Sequence, residues 1–560
     1  MARLSVLSVE QLAARLGDCL EILTRGNRVA SSRQQTLRAA IQWSYDLLPE
    51  SERRVFRRLS TFAGGCGLDA AKVVCCDGEV GSDSMLDLLA SLVDKSLVQV
   101  DETGAETRFR LLEPVRQFAY GELEAAGESK HAQDRHVEFF LRLAETAEPE
   151  LWGPRLWSWR TRLAREHDNC RAGLARCLWQ GDAERGQRLG GALARFWLSA
   201  GQLSEGRVWL ERLLALPDNP AQALPRTTAM MGAGVLADYQ GDSGTALLFS
   251  QEAAARSRSL GARRILALSL APLASARSYH GDYAGAGAAA EEGVAVSRAI
   301  ADKPLESLHL TNLARSMHVR GQVETARELY GLALGLAREA GYARMRTRAL
   351  FYLGLLNHEQ GEIGAARVRL QESLDSAREV DDRIEIERVL VALARLAAEQ
   401  RDLNLARQHL TEAVGLAREL GHQPMLTRCL AVLTRVLVAQ RRPAQALQLA
   451  AAVNAFNETR SASANPEITA DLSFSSSEAR RAVGDVDANA ALAVGRMLSV
   501  DQAITCGFVW STPTHMLARA DKKSQRLAPP WRPCWMLSDA ITRRQRLWRT
   551  TTPIPSPRLN

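Results

Sequence analysis

A small or turn-forming residue returns every forty positions through the middle of this chain. Gly201, Gly241, Gly281, Gly321 and Gly361 hold the register, and Arg401 and Arg441 continue it without glycine. Five residues after these points stand Gly206, Ala246, Ala286, Ala326, Ala366, Ala406 and Ala446; eight before them stand Leu273, Leu313, Leu353, Leu393 and Leu433. Twelve after them the residue is again small: Ala253, Gly293, Ala333, Ser373 and Ala413. The pattern predicts two antiparallel helices per unit. Glycine at the turn takes a backbone angle that other residues avoid, and the small residue beyond it lets the helix axes approach. One such pair cannot bury its apolar face alone, so neighbours must stack into a superhelix over 201–460. An irregular helical bundle would not keep six units in one register.

The 560 residues exceed what one core usually organises, and 46% hydrophobic with 24% charged residues is ordinary for a soluble folded chain. Only 6% are aromatic, which suits helix packing through Ala and Leu. The net charge of +7 sits at one end: residues 511–560 hold ten Lys/Arg and two acids, which leaves 61 basic and 62 acidic side chains elsewhere. By composition the body is not a basic nucleic-acid surface. Nine scattered Cys without a CxxC pair point to a reduced, cytoplasmic protein. Met1 to Arg25 alternates apolar and charged residues rather than forming a signal peptide, and no run approaches 18 apolar residues, so no membrane span is expected.

Ahead of the repeat, residues 33–62 predict two helices. Leu37, Ile41, Tyr45 and Leu48 share one face of the first, and Val55, Leu59 and Phe62 point inward from the second, after the break at Pro49. A third helix, Met85 to Lys95, carries Leu86, Leu89 and Leu92. Alternating Val98/Val100 and Phe109/Leu111 flank a turn at Glu102-Thr103-Gly104 and predict a hairpin. Helices and hairpin together make a winged helix over 31–125, with a helical connector over 126–200. The expected fold is mostly α: a small winged-helix domain followed by an α-solenoid of tetratricopeptide-like helix pairs.

The stretches QQTLRAAIQWSYDLLPESERRVFRRLSTFAGGCGLDAA, LLASLVDKSLV and FRLLEPVRQFAYGELEAAG resemble the winged-helix module of signal-transduction ATPases with numerous domains, and within them the large bacterial LuxR-type regulators. RHVEFFLRLAETAEPELWG and EHDNCRAGLARC resemble that family's connector, and the repeats resemble tetratricopeptides through the turn glycines, Gly234, Gly354, Tyr330, Leu370 and Leu410, at a period of forty instead of thirty-four. The resemblance implies an ATPase domain before the winged helix, but no GxxxxGK[ST] loop occurs. None of Lys72, Lys95, Lys130, Lys303, Lys522 and Lys523 follows a glycine. LSVEQLAARLGDCLEIL resembles only the last ATPase helices, a remnant within residues 1–30, and Leu112 stands where related switches carry a nucleotide-touching His. No ATP binding or hydrolysis is expected, and a separate ATPase chain would have to supply the missing parts.

Residues 461–505 are expected to form terminal helices, with 484–504 similar to the segment that precedes a C-terminal helix-turn-helix in the LuxR-type family. Residues 506–560 instead hold Trp510, Trp531, Trp535, Trp548, many prolines and no helix-turn-helix. They read as a basic, disordered tail and suggest a truncated or frame-shifted gene; a nucleic-acid or membrane arm is the competing reading.

No catalytic, cofactor-binding or metal site is assigned. His358-Glu359 begins no HExxH, His131 and His136 are five apart, and Gly64-Gly65-Cys66-Gly67 lacks the lysine of a phosphate loop. His167-Asp168-Asn169 is expected to cap a helix starting near Cys170. Arg256, Arg258, Arg263 and Arg264 read as a solvated face that could meet an acidic partner. The expected function is therefore not enzymatic. It is the sensor portion of a transcriptional regulator, holding a protein, peptide or small effector in the solenoid groove. The alternative is a regulator that binds DNA through the winged helix. The third helix argues against that alternative, because Asp87 and Asp94 outnumber its one base, Lys95.

Overall fold

The computed structural model describes residues 28–77, 81–101, 106–421, 423–459 and 466–508. Most of the 1–30 remnant, the turn expected at 102–104 and nearly all of the tail expected at 506–560 lie outside the described residues. The chain divides between Ala132 and Gln133 into two compact units.

The first unit runs α1 (Arg28–Asp46), α2 (Glu50–Leu59), α3 (Leu68–Cys75), α4 (Met85–Asp94), β1 (Gln99–Asp101), β2 (Arg108–Arg110) and α5 (Glu113–Ala125). The strands pair antiparallel with Val100 opposite Phe109, and Cys66 bridges Phe109 from the other side. Helix α3 is absent from the sequence reading, which places no element between the helix that ends near Phe62 and the one that starts at Met85. At eight residues α3 is too short to show periodicity, yet it buries Ala70, Ala71, Val74 and Cys75. Gly65 turns with φ +74°, and a β-carbon there would lie 2.7 Å from the Phe109 carbonyl oxygen, so the close approach of the bridge needs glycine. Two residues assigned inward by spacing face outward: Leu37 is 41% exposed and Leu86 53%. Burial goes instead to Phe56 and, against composition rules, to Arg57 and Arg58. Both reach Glu128, at 2.6 and 2.7 Å, while Arg57 also donates to the Tyr45 hydroxyl and Arg58 to Asp77. These partners offset the burial of both guanidinium groups, leaving only Arg57 Nε without a hydrogen bond among the Arg57 nitrogens.

At the divide begins α6 (Ser129–Glu150), followed by α7 (Leu156–Arg165) and α8 (His167–Gln180). Helix pairs then succeed one another: α9 (Ala183–Ser199) with α10 (Leu203–Leu214), α11 (Ala223–Tyr239) with α12 (Ser243–Leu260), α13 (Arg263–Tyr279) with α14 (Tyr283–Ala299), and α15 (Lys303–Val319) with α16 (Val323–Glu339). They continue through α17 (Ala343–Glu359) with α18 (Ile363–Glu379), α19 (Arg383–Glu399) with α20 (Leu403–Leu420), and α21 (Gln423–Ala439) with α22 (Pro443–Thr459). Three helices close the unit: α23 (Pro466–Val483), α24 (Asp485–Arg496) and α25 (Val500–Phe508).

The forty-residue period conceals a twenty-residue one. A left-handed residue ends each helix from Gly241 through Gly261, Gly281, Ala301, Gly321, Gly341, Gly361, Asp381, Arg401 and Gly421 to Arg441. Turns within and between pairs are therefore built alike. At the first, the Gly241 N–H bonds to the Asp238 carbonyl and the Asp242 N–H to the Ala237 carbonyl, both at 3.0 Å. The Asp242 carboxylate then accepts from the Thr245 N–H and starts the next helix. Ala301 and Asp381 hide the shorter period, because only alternate between-pair turns use glycine.

The alanines five residues beyond each turn are all buried: Ala246, Ala326, Ala366 and Ala406 have no exposed surface, Ala446 has 1% and Ala286 2%. Ala326 packs with Ala314, Tyr330 and Leu356. The superhelix also meets itself. Gly201 abuts Leu420, and a β-carbon on Gly241 would sit 2.7 Å from Pro424. Helix pairs five places apart are thus in contact, and the superhelix encloses a narrow lumen.

Candidate functional site in the solenoid lumen

The first helix of each pair presents a stripe to the lumen at intervals of four and three residues, which is one face of an α-helix. In α13 the stripe is Leu268, Pro272 and Ser275; in α15 it is Leu308, Asn312 and Arg315; in α17 it is Arg348 and Tyr352. Across α11, Asp238 and Tyr239 face them. Most of these residues, with Arg195, Met231, Val235 and Met345, line a mainly apolar cavity of about 70 Å³. Pro272, inside α13, has no N–H to offer the Leu268 carbonyl one turn back.

The polar end of the lumen is crowded with cations. Arg348 Nη1 donates to the Tyr239 hydroxyl at 3.2 Å, while its Nε has no hydrogen-bond partner. Arg344 is 4% exposed and lies 3.2 Å from Asp382, yet none of its three nitrogens makes a hydrogen bond. Glu385, fully buried, pairs with Arg388 at 3.1 Å. Around these sit Arg195 and Arg315, and Arg264 at the edge, so six guanidinium groups face four carboxylates: Glu148, Asp238, Asp382 and Glu385.

The titration directions follow from that imbalance. Burial, with Arg344 alongside, brings Arg195 down to about 9. Burial acts to raise the Glu385 carboxyl, but Arg388, Arg348 and Arg344 overcome it and hold it below the carboxylate range. Burial also acts against the Tyr352 phenolate, but Arg315, Arg388 and Arg348 outweigh it and bring the phenol down to about 8. Asp238 goes the other way: burial raises it despite Ser275 and the nearby arginines.

One edge of the lumen is crossed by the connector. Arg264 donates to Glu148 at 2.8 Å, Arg195 lies 4.0 Å over the Trp152 ring, and Arg160 donates to the Asp381 carbonyl at 3.0 Å. Arg264 is thereby taken by α6. Arg256 and Arg258 are taken by Glu252, Asp218 and Glu292. Of the four arginines singled out from sequence, Arg256, Arg258 and Arg264 are thus already paired within the chain, while Arg344 and Arg348, with unmet nitrogens, lie inside. Their signal was present: Arg348 and Arg388 are forty apart and replace Leu268 and Leu308 at the same register position.

His167-Asp168-Asn169 is not a cap. The helix begins at His167 and Glu166 occupies the cap position. His167 instead accepts from the Trp197 indole N–H at 3.2 Å, and Asn169 meets His136 at 3.4 Å. Burial lowers His136, His167 and His309 to about 4 each, slightly offset by a hydrogen bond or a neighbouring charge. An unfolded imidazole protonates near 6.5, so the unfolded chain gains protons first as pH falls. Stability is at its plateau above about pH 6.5 and declines toward pH 4. The melting temperature should therefore fall steeply between pH 6.5 and 4.5, and His309→Gln should flatten that slope; an unchanged slope would rule out the buried neutral imidazole.

In the first unit, α4 turns Leu86, Asp87, Ala90 and Asp94 to solvent, and Lys95 is paired with Glu52. Among the described residues no group of three or more His, Cys, Asp or Glu could hold a metal ion, and no helix is long and apolar enough to cross a membrane.

Residues 48–124 match the model of a winged helix-turn-helix domain. The protein thus joins a winged helix-turn-helix domain to a solenoid of helix pairs. It is 38% identical over 216 residues to "Putative HTH-type transcriptional regulator Rv0890c" of Mycobacterium tuberculosis, a match over 38% of this chain and 24% of that one. It is 37% identical over 129 residues to an uncharacterized protein of the same species, over 23% of this chain and 33% of that one. The chain therefore spans about a quarter of the length of the first of these relatives. Among solved structures it is similar to a signal transduction ATPase with numerous domains, carrying a tetratricopeptide repeat sensor, from Pyrococcus horikoshii (15% identity, TM-score 0.47, 87% of this chain and 72% of that one). It is also similar to a Rap protein complexed with competence and sporulation factor (13% identity, TM-score 0.39, 58% and 97%).

Proposed function

We propose that this chain is the partner- or effector-binding sensor portion of a bacterial transcriptional regulator of the LuxR type, working without ATP hydrolysis of its own. The observation that carries the reading is a winged helix-turn-helix domain followed in the same chain by a long helix-pair superhelix, in a protein similar to a named regulator. The lined interior of the superhelix offers a site for a ligand, and the winged helix in the same chain offers a route for coupling. The reading without hydrolysis rests on the sequence, where no lysine follows a glycine as a phosphate loop requires. Direct DNA contact by α4 is disfavoured by its acidic and apolar exposed face and by the engagement of its only base with Glu52.

Removing the coding segment for residues 133–508 from the chromosome should alter the transcripts of a defined gene set. The intact chain should restore them, and a chain carrying Gly206→Phe, which drives a ring into Trp197, should not. Unchanged transcripts would refute a regulatory role. Salt-sensitive binding of duplex DNA by the full chain, lost on Lys95→Glu, would favour the DNA-binding alternative.

A further inference from the structure

We propose that the solenoid lumen is a binding site for a small apolar carboxylate, its anionic group held by Arg348 and Arg195 and its body seated against Met231, Leu268, Pro272 and Met345. The inference deepens the sensor reading by naming the chemistry of the effector, and it rests on that reading for its biological meaning.

Two features on opposite sides of the cavity select this ligand. One side is hydrocarbon, with methionine, leucine and proline side chains and no charge to satisfy. The other side sets Arg195 and Arg348 against Glu148 and Asp238, but Arg264 already holds Glu148, and Arg315, Arg344 and Arg388 stand behind the lining, so guanidinium exceeds carboxylate there. Arg344 is nine-tenths buried with every nitrogen lacking a hydrogen bond, and the Nε of Arg348 is likewise unmet. Buried donors left in this state are costly, and a carboxylate is the planar acceptor that a guanidinium fork fits. A cation would enter against this field. A neutral molecule would fill the apolar side and leave the arginines as they are.

Size narrows the class further. The cavity of about 70 Å³ is under half the roughly 150 Å³ that holds a benzene ring, so it has room for a short-chain acid and far too little for an aromatic acid or a peptide. The superhelix is closed around it, since Gly201 and Gly241 meet Leu420 and Pro424, so the lumen is not an open groove of the kind an extended chain would occupy. Asn312 and Ser275 supply neutral polar groups beside the arginines and can orient the head group.

The test uses three near-isosteres, propionate, 1-propanol and propylammonium, with the full chain at constant ionic strength. Two readouts apply: the melting temperature, and the tyrosinate absorbance of Tyr352 near pH 8. Propionate should raise the melting temperature saturably. It should also reduce the tyrosinate signal, because an anion beside Arg348 and Arg315 offsets the charges that favour the phenolate. 1-Propanol should raise the melting temperature less and leave the tyrosinate signal unchanged, and propylammonium should do neither. Arg348→Met should weaken propionate at least tenfold while far-UV circular dichroism stays helical; if that variant does not fold, Asn312→Ala and Arg348→Lys should weaken binding in its place. Equal effects of propionate and 1-propanol on both readouts, or no effect beyond that of chloride, would overturn the proposal. Either result would leave the transcript experiment to judge the sensor reading separately, since that experiment does not depend on what fills the lumen.

Discussion

Replacing Glu385 with glutamine should destabilise the second unit by about 3–5 kcal/mol, the range for removing one partner of a buried ion pair. Glu385 has no exposed surface and is the carboxylate shared by Arg388 and, at 3.9 Å, Arg344. Glutamine preserves the volume, so the loss isolates charge. Without it Arg195, Arg344, Arg348 and Arg388 repel one another in a poorly hydrated channel, where charges interact more strongly than in bulk water. The urea midpoint should fall with the slope of the transition unchanged. The double variant Glu385→Gln/Arg388→Met should recover part of the loss, because it removes the cation that was stranded. A cost under about 1 kcal/mol would mean that water already screens the lumen arginines.

Ala326→Phe should cost about 1–3 kcal/mol by overpacking. Ala326 has no exposed surface and sits in the crossing of α15, α16 and α17, against Ala314, Tyr330 and Leu356. Tyr330 already stacks on Tyr352, their ring centroids 5.6 Å apart, so a second ring cannot be absorbed by rotating a neighbour without reaching the lumen. Leu332→Ala on the same helix provides the control, since Leu332 is 57% exposed and should change the melting temperature little. Equal effects of the two substitutions would show that the forty-residue register does not mark the helix crossings.

The solenoid was legible because its requirement is steric and repeats: where axes must approach, only Ala, Gly or Ser fits, and the same need recurs in every unit. The winged helix was legible in outline through Ile41, Tyr45, Val55 and Phe109. It failed at Leu37 and Leu86, because a helical stripe read from sequence does not say where the neighbouring element ends. Helix α3 escaped because eight residues between glycines carry too little pattern. The lumen was harder still. Arg195, Arg344 and Asp382 come from distant pairs, and whether an arginine faces water or a channel depends on the pitch of the superhelix, which local residues do not encode. Arg348 and Arg388, in the register that earlier pairs fill with Leu268 and Leu308, were the visible clue.

The contact of Gly201 with Leu420, and of Gly241 with Pro424, also bears on how such a chain can change over generations. Open helical arrays lengthen or shorten by whole modules at little cost, since each touches only its neighbours. Here the coils clasp, so inserting or deleting forty residues between them would slide the arginine tier past the apolar tier and misalign both. Gene duplication within this stretch is therefore constrained as it would be in a closed ring, and diversification must proceed by exchanging lumen side chains one at a time.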